Sequence, residues 1–307
     1  MHALVTGVSG FIGGHLAAGL TARGHRVTGV DLEPACRVEV DRHLTLDLAD
    51  SGHAAALQDV VSTADVVFHL AGRPGVRGTG SRLAELRHRD NVVATANLLA
   101  ATPLDTHVVA TSSSSVYGAA SRNDGFLTPS RETDPVRPTG GYALSKVLME
   151  RICNLHRDRG GSITVVRPFT VAGEQQRADM ALAIWLDALR RGDPIAIFGS
   201  SDRSRDITDV RDVVEGLIRA ADGKVAGTVN LGTGVGHRLS DLARTLIDVS
   251  GLSGEIVHAP VSTEDISATL ADTACCERVL GFRPETDLHA VVERVVSSAV
   301  EPAMAAS

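Results

Sequence analysis

The chain has 307 residues, 43% hydrophobic and 22% charged, an ordinary balance for a soluble globular protein long enough to bury a large core in one α/β unit or two coupled domains. Six Phe, two Tyr and one Trp supply few stacking surfaces, which argues against aromatic platforms for sugar rings or single-stranded nucleic acid as the main binding device. A net charge of −7 gives no bulk attraction to nucleic acid or an anionic membrane, and no apolar run approaches the roughly 18–20 residues of a membrane helix.

In chain order, 2–6 is a short apolar strand entered at once, with no signal-peptide layout. A Gly-rich turn leads to a helix over 11–23. Strands follow at 27–30, 44–46 and 64–70, then an Ala/Leu-rich helix over about 81–100. Pro103 punctuates, 106–110 is the next strand, and 118–140 reads as a Gly-, Pro-, Ser- and Asp-rich loop. Helical periodicity resumes after Tyr142, and 163–166 is a further strand. Strands alternating with long helices predict a parallel, doubly wound α/β sheet. Past Thr170 the rhythm breaks. Helices near 178–191, 210–221, 239–249 and 287–298 are separated by turns such as Arg191-Gly192-Asp193-Pro194. This predicts a first domain over 1–170 and a smaller, irregular α/β lobe over 171–307, with segments near 205–235 returning to the first. Cys36, Cys153, Cys275 and Cys276 have no metal spacing, and the adjacent pair is too close for an ordinary bridge. They read as reduced thiols of a cytoplasmic protein, and no metal site is expected.

Gly7-Val8-Ser9-Gly10-Phe11-Ile12-Gly13 has the pattern G-x-x-G-x-x-G between a strand and a helix. Glycines there let the backbone approach a pyrophosphate, and the helix N-terminus presents free N–H groups to it. Asp31 ends the second strand, where a carboxylate binds the adenosine ribose and repels a 2′-phosphate, so NAD is expected over NADP. The second motif is Tyr142-Ala143-Leu144-Ser145-Lys146, which places Tyr and Lys one helical turn apart on one face. A free tyrosine is a poor base at neutral pH; a neighbouring ammonium and a nicotinamide cation favour its ionised form and make it a general base for a sugar hydroxyl. Upstream, Thr111-Ser112-Ser113-Ser114-Ser115-Val116-Tyr117-Gly118 lies at the carboxyl end of a strand, where open α/β sheets bind ligands.

With these motifs the chain resembles the extended short-chain dehydrogenases/reductases of the nucleotide-sugar epimerase/dehydratase group. The resemblance covers nearly the whole chain. It includes Asp47-Leu48, His69-Leu70-Ala71-Gly72, Asn91-Val92-Val93-Ala94-Thr95, Arg167-Pro168-Phe169, Ala196-Ile197-Phe198-Gly199, Arg205-Asp206 and Asn230-Leu231-Gly232-Thr233-Gly234. It implies a Rossmann fold with NAD against Gly7, Gly10, Phe11, Ile12, Gly13, Asp31, Leu32, Asn91, Ser112, Tyr142 and Lys146. Asp47 and Leu48 would lie by the adenine, Leu70, Ala71 and Gly72 by the pyrophosphate and ribose, and Pro168 by the nicotinamide. Ser113, Tyr142 and Lys146 take the catalytic positions, and Tyr117 a structural one.

The subclass follows from what the chain has and lacks. Family dehydratases carry Thr-Asp-Glu where Ser113-Ser114-Ser115 stands, and nucleotide-glucuronate decarboxylases carry Glu at the Ser115 position. Simple 4-epimerisation needs no extra acid. Thr170, and Arg177 followed by Ala178-Asp179-Met180-Ala181, resemble the UDP-glucuronate 4-epimerases, where they would hold the C6 carboxylate; Gly75-Val76-Arg77 resembles the same group and adds a cation. A fixed carboxylate matters because a 4-keto uronate is a β-keto acid prone to lose CO₂. Ser114, Ala196, Phe198, Arg205 (toward the diphosphate) and Asp265 (toward the nucleotide ribose) complete the expected UDP-sugar contacts. The chain departs from the pattern at Ala172 and Glu174, where Tyr and Pro are usual, and Glu174 is expected to add negative charge near the carboxylate pocket. Ser262 stands where hexose epimerases have a second diphosphate Arg. A UDP-glucose/UDP-galactose 4-epimerase, a nucleotide-4-ketosugar reductase and a non-enzymatic NAD sensor are the alternatives. The resemblance also implies a homodimer through helices at about 83–100 and 142–158, with neither nucleic acid nor membrane as partner.

Overall fold

The structure, a computed structural model, describes residues 1–75, 78, 80–123, 126–200, 203–260 and 266–299. β1 (His2–Thr6) is wholly buried and delivers the glycine turn to α1 (Phe11–Ala22). β2 (Arg26–Asp31), β3 (Arg42–Thr45), α2 (Ala54–Ser62) and β4 (Val66–His69) follow. The helix expected at about 81–100 is split into α3 (Ser81–His88), a π-helical stretch over Arg89–Val93, and α4 (Ala94–Ala101). Such a one-turn bulge is a common device at functional sites, and this one carries Asn91. β5 (His107–Thr111) ends at the serine run, which folds into a 3₁₀ turn over Ser114–Tyr117 with Ser113 as its cap. The expected loop contains a small hairpin, β6 (Arg122–Asn123) and β7 (Phe126–Leu127). Helix α5 (Gly140–Asp158) starts two residues before Tyr142. It is followed by β8 (Ile163–Pro168), β9 (Thr170–Ala172), α6 (Ala181–Arg191), β10 (Ile195–Phe198), β11 (Ser204–Asp209), α7 (Val210–Asp222), β12 (Gly227–Leu231), β13 (Gly236–Arg238), α8 (Leu239–Ser250), β14 (Ile256–Ala259), α9 (Ala274–Leu280) and α10 (Leu288–Ser298).

Among the described residues the main sheet has seven strands in the order β12-β8-β5-β4-β1-β2-β3, every pairing parallel. This is the expected doubly wound Rossmann arrangement. Both faces are covered. Leu16, Leu20, Val213 and Leu217 of α1 and α7 pack one face; Leu57, Leu98, Met149 and Cys153 of α2, α4 and α5 pack the other. Successive strands run outward from β1 in both directions, so β1 and β4 form the switch point outside which such sheets bind ligands.

A third core joins α6, α8 and α10 through Trp185, Leu186, Leu246, Val291 and Val292. Beside it β10 pairs with β14, while β9, β11 and β13 form a separate three-stranded sheet. Of the segments expected to return, β12 does so by pairing with β8 at the sheet edge, whereas β11 pairs with β9 and β13 outside the main sheet. Sequence reading passed over α2 and α9. For α2 the signal was present: Leu57, Val60 and Val61 are spaced to share one buried helix face.

Candidate active site

A cavity of about 800 Å³ runs along the carboxyl ends of the main strands and reaches into the third core. Its first wall is the glycine turn. Gly7 sits at φ +74° with Ala71 N only 2.7 Å from where a Cβ would stand. A Cβ on Gly13 would fall 2.0 Å from Gly7 O. Turn and helix therefore close on each other at van der Waals contact, which only glycine permits. No side chain caps α1, so its first-turn N–H groups face the cavity as an anion site. Gly10, Phe11 and Ile12 line this wall with Asp31, Leu32, Asp47, Leu48, Leu70, Ala71, Gly72 and Pro168. Asp31 accepts hydrogen bonds from the Ser9 (2.9 Å) and Glu33 (3.1 Å) backbone N–H groups, which fix its carboxylate at the strand end. Asp47 is paired with Arg89 and also accepts from Ala49 N at 2.9 Å.

The second wall holds the residues expected to carry the chemistry. Tyr142 lies in the first turn of α5, half-buried, with a hydrogen bond to Ser113. Burial pushes its phenol above the usual range, while Ser113, Arg177 and Arg87 pull it down. The Lys146 ammonium, expected to do this, is not among them. Burial draws Lys146 down to about 8. Its Nζ donates instead to Thr111 O at 2.8 Å. Ser112 donates to Glu150 at 2.6 Å, and Glu150 forms a buried two-point pair with Arg167 at 2.8 and 2.6 Å. Arg167 donates to Tyr117 Oη, which donates to Asn230 Oδ1, both at 2.7 Å. Tyr117, pushed up to about 12 chiefly by burial, is thus a structural residue. Burial also holds the His69 imidazole at about 3, where it is neutral between Thr6 and Thr95.

Asn91, expected against the cofactor, sits in the π-helical stretch. It is buried off the cavity wall, accepting from Arg73 N at 2.7 Å and donating to Ser145 Oγ at 2.8 Å, while Ser145 donates to Tyr142 O at 2.7 Å. It pins the first turn of α5 through the π bulge.

At the far end, Thr170, Arg177, Ala196, Phe198 and Arg205 line the same cavity as Ser113, Ser114 and Tyr142. Arg177 is held by Asp179 through two hydrogen bonds of 2.9 and 3.1 Å, a partner the sequence reading did not foresee. Arg205 donates to the Ser204, Ser267 and Ile266 carbonyls. Glu174 overturns its expectation. It is off the cavity wall, paired with Arg211 at 2.8 Å and Arg294 at 3.0 Å and facing His15, so its charge is neutralised within a network joining α1, α7 and α10. Arg77, Ser262 and Asp265 lie outside the described residues. Sequence reading also missed Arg87, a buried cation of α3; its only signal was an arginine four residues before Asn91 on the same predicted helix.

The residues fit a dinucleotide. Beside the glycine cradle, Ser9 Oγ and Thr111 Oγ1 are buried on the cavity wall with no hydrogen-bond partner in the protein, and Ser115 Oγ repeats this at the serine turn. Buried hydroxyls are rarely left unpaired without a ligand or water to meet them. Among the described residues no cluster of His, Cys, Asp or Glu could hold a metal ion, and no helix is long and apolar enough to cross a membrane.

Comparison with known proteins agrees with this geometry. The profile of the NAD dependent epimerase/dehydratase family matches residues 3–232. The UDP-N-acetyl-alpha-D-glucosaminuronate decarboxylase of Bacillus cytotoxicus is 32% identical over 84% of this chain and 83% of its own. The probable UDP-glucuronate 4-epimerase of Rhizobium meliloti is 30% identical over 96% of each. The structure of MoeE5 in complex with UDP-glucose and NAD is similar over 99% of this chain and 100% of that one, with a TM-score of 0.88 and 32% identity. MoeE5 has also been solved in complex with UDP-glucuronic acid and NAD.

Proposed function

This chain belongs to the NAD dependent epimerase/dehydratase family, and from that membership we propose that it is a 4-epimerase interconverting UDP-glucuronate and UDP-galacturonate. The observation that carries the reading is the sharing of one cavity wall by Ser113 and Tyr142, the acid/base pair, and by Thr170 and Arg177, a hydroxyl and a guanidinium suited to a C6 carboxylate. We assign the sheet-bearing domain, 1–170, to the cofactor and 171–307 to the sugar nucleotide.

When bound in the glycine-lined groove, NAD supplies the acceptor, and later the donor, of the C4 hydride. Tyr142 takes the proton from the sugar's O4, with Ser113 hydrogen-bonded to both the phenol and the sugar oxygen, and returns it when the opposite face of C4 is reduced. Lys146, Leu70, Ala71, Gly72 and Pro168 hold the cofactor's ribose and nicotinamide against that centre, while Asp31 and Leu32 hold the adenosine. Thr170 and Arg177 hold the carboxylate, so that the β-keto acid formed in transit keeps its CO₂. No acid stands at the Ser115 position to assist a different outcome. Phe198, Ala196 and Arg205 grip the uridine diphosphate, with Arg77 and Asp265 assigned to the same substrate. We further assign the protein to the cytoplasm, as a homodimer through the helices at about 83–100 and 142–158; Leu144 and Leu155 are exposed on the second.

Purified protein given UDP-glucuronate is expected to yield UDP-galacturonate by chromatography. Turnover of UDP-glucose with none of the uronate reassigns it as a hexose epimerase. Release of CO₂ and a UDP-pentose reassigns it as a decarboxylase, a kind of activity its Bacillus cytotoxicus relative's name describes. Tyr142→Phe is expected to lose about 10²–10⁴-fold in turnover while keeping its NAD; undiminished turnover would remove Tyr142 as the base.

A further inference from the structure

Arg87 is a buried guanidinium set back from the cavity wall. Its Nη2 donates to Gly75 O at 2.7 Å and its Nη1 to Gly78 O at 3.3 Å, so one side chain of α3 holds two carbonyls of the segment that follows β4. The same Nη1 lies 3.2 Å from where a Cβ on Gly141 would stand, which seats the cation against the residue preceding Tyr142. On the cavity side, Gly75 comes within 3.7 Å (from its own ideal Cβ position) of the Asp179 carboxylate, which grips Arg177.

We infer that Arg87 is a positioning residue for the catalytic tyrosine: it ties Gly75 and Gly78 to the start of α5, sets Gly75 against the Asp179–Arg177 pair, and supplies a fixed positive charge behind Tyr142. The proposal rests on the reading of Tyr142 as the base. The charged and titratable groups around that phenol come from several elements. Ser113 bonds it from the turn after β5, Arg177 with its partner Asp179 acts from the segment after β9, Arg87 acts from α3, and Lys146 follows one turn along α5. Lys146 is drawn down by burial and gives up its charge as pH rises, whereas an arginine keeps its own. Of the two guanidinium groups that act on this phenol, Arg87 is the buried one.

The shortage of tyrosines makes this directly measurable. Tyr117 is pushed up to about 12, so tyrosinate absorbance that develops below that pH and vanishes in Tyr142→Phe belongs to Tyr142. In the NAD-loaded protein, Arg87→Met is expected to move that midpoint upward by about one pH unit. A midpoint unchanged from wild type overturns the electrostatic role. Arg87→Lys keeps the cation but cannot fork to two carbonyls. It is expected to titrate near wild type while KM for the UDP-sugar rises severalfold and kcat falls; wild-type kinetics in this variant overturn the docking role. Both outcomes are separate from the base assignment itself, which Tyr142→Phe turnover tests.

Discussion

At the cofactor end of the cavity, the backbone of one contiguous stretch, Gly7 to Gly13, does the shaping. At the sugar end, the corresponding work falls to side chains gathered from Thr170, Arg177, Ala196, Phe198 and Arg205 on separate segments. The first wall has almost no freedom, because Gly7 and Gly13 meet at contact distance. The second is adjustable. Arg177 is partly exposed and its charge is already engaged by Asp179, so the carboxylate of the proposed substrate would compete with an internal one. On the proposed function, recognition of the cofactor would be built into rigid backbone, and discrimination among sugars into side chains that can exchange partners.

Substitutions should expose the contrast. The largest effect is expected for Gly13→Val, whose branched side chain collides with Gly7 O. A loss of roughly 3 kcal/mol or more in stability and an empty cofactor site are expected, read by thermal melting and by NAD released per chain. Normal NAD content would show the cradle to be more forgiving than its contacts imply.

Lys146 stands where the two walls meet. Its folded value of about 8 lies below the 10.5 of a free lysine, so between these limits the unfolded chain binds the extra proton. Its contribution to stability should therefore rise as pH climbs from about 8 to 10.5, and near neutrality burial of the ammonium costs about 3 kcal/mol. Lys146→Met in the NAD-free protein is expected to melt higher at neutral pH and to lose that rise. Melting curves of the two proteins that stay parallel across the window would refute this.

Arg177→Ala is expected to raise KM for UDP-glucuronate by about ten- to a hundredfold and to leave UDP-glucose little changed. Equal losses on both substrates would remove the carboxylate contact. The smallest change is expected for Asp179→Asn, which releases the guanidinium. KM for the uronate should fall by about two- to fivefold, and an increase would mean that Asp179 orients Arg177 more than it competes for it.

The same contrast governs what the residues disclosed in advance. The glycine turn, Asp31 and the Tyr142/Lys146 pair were legible because strand–turn–helix geometry places neighbours in sequence as neighbours in space. The sheet was legible for the same reason up to β8. The bonds of Asn91 to Arg73 and Ser145 were not legible, because a helix-period reading does not reveal a π bulge. Glu174 was placed near the sugar because nothing local discloses that Arg211 and Arg294, far along the chain, converge on it. The short strands β9, β10, β13 and β14 carry too few residues for an alternating pattern, and their pairing is decided by tertiary packing. Arg87 was hidden for the opposite reason: an arginine in a helix reads as solvent-facing until its carbonyl partners are known.

Strand β12 also bears on how the molecule is made. It lies beside β8 at the sheet edge although β9, α6, β10, β11 and α7 intervene along the chain. On a ribosome, the edge of the sheet stays open until Leu231 has been synthesised, by which time α6 and α7 are already available to fold. The chaperone-vulnerable interval thus falls between Pro168 and Leu231, and a chain truncated within it is expected to present β8 as an unpaired, apolar edge ready to aggregate.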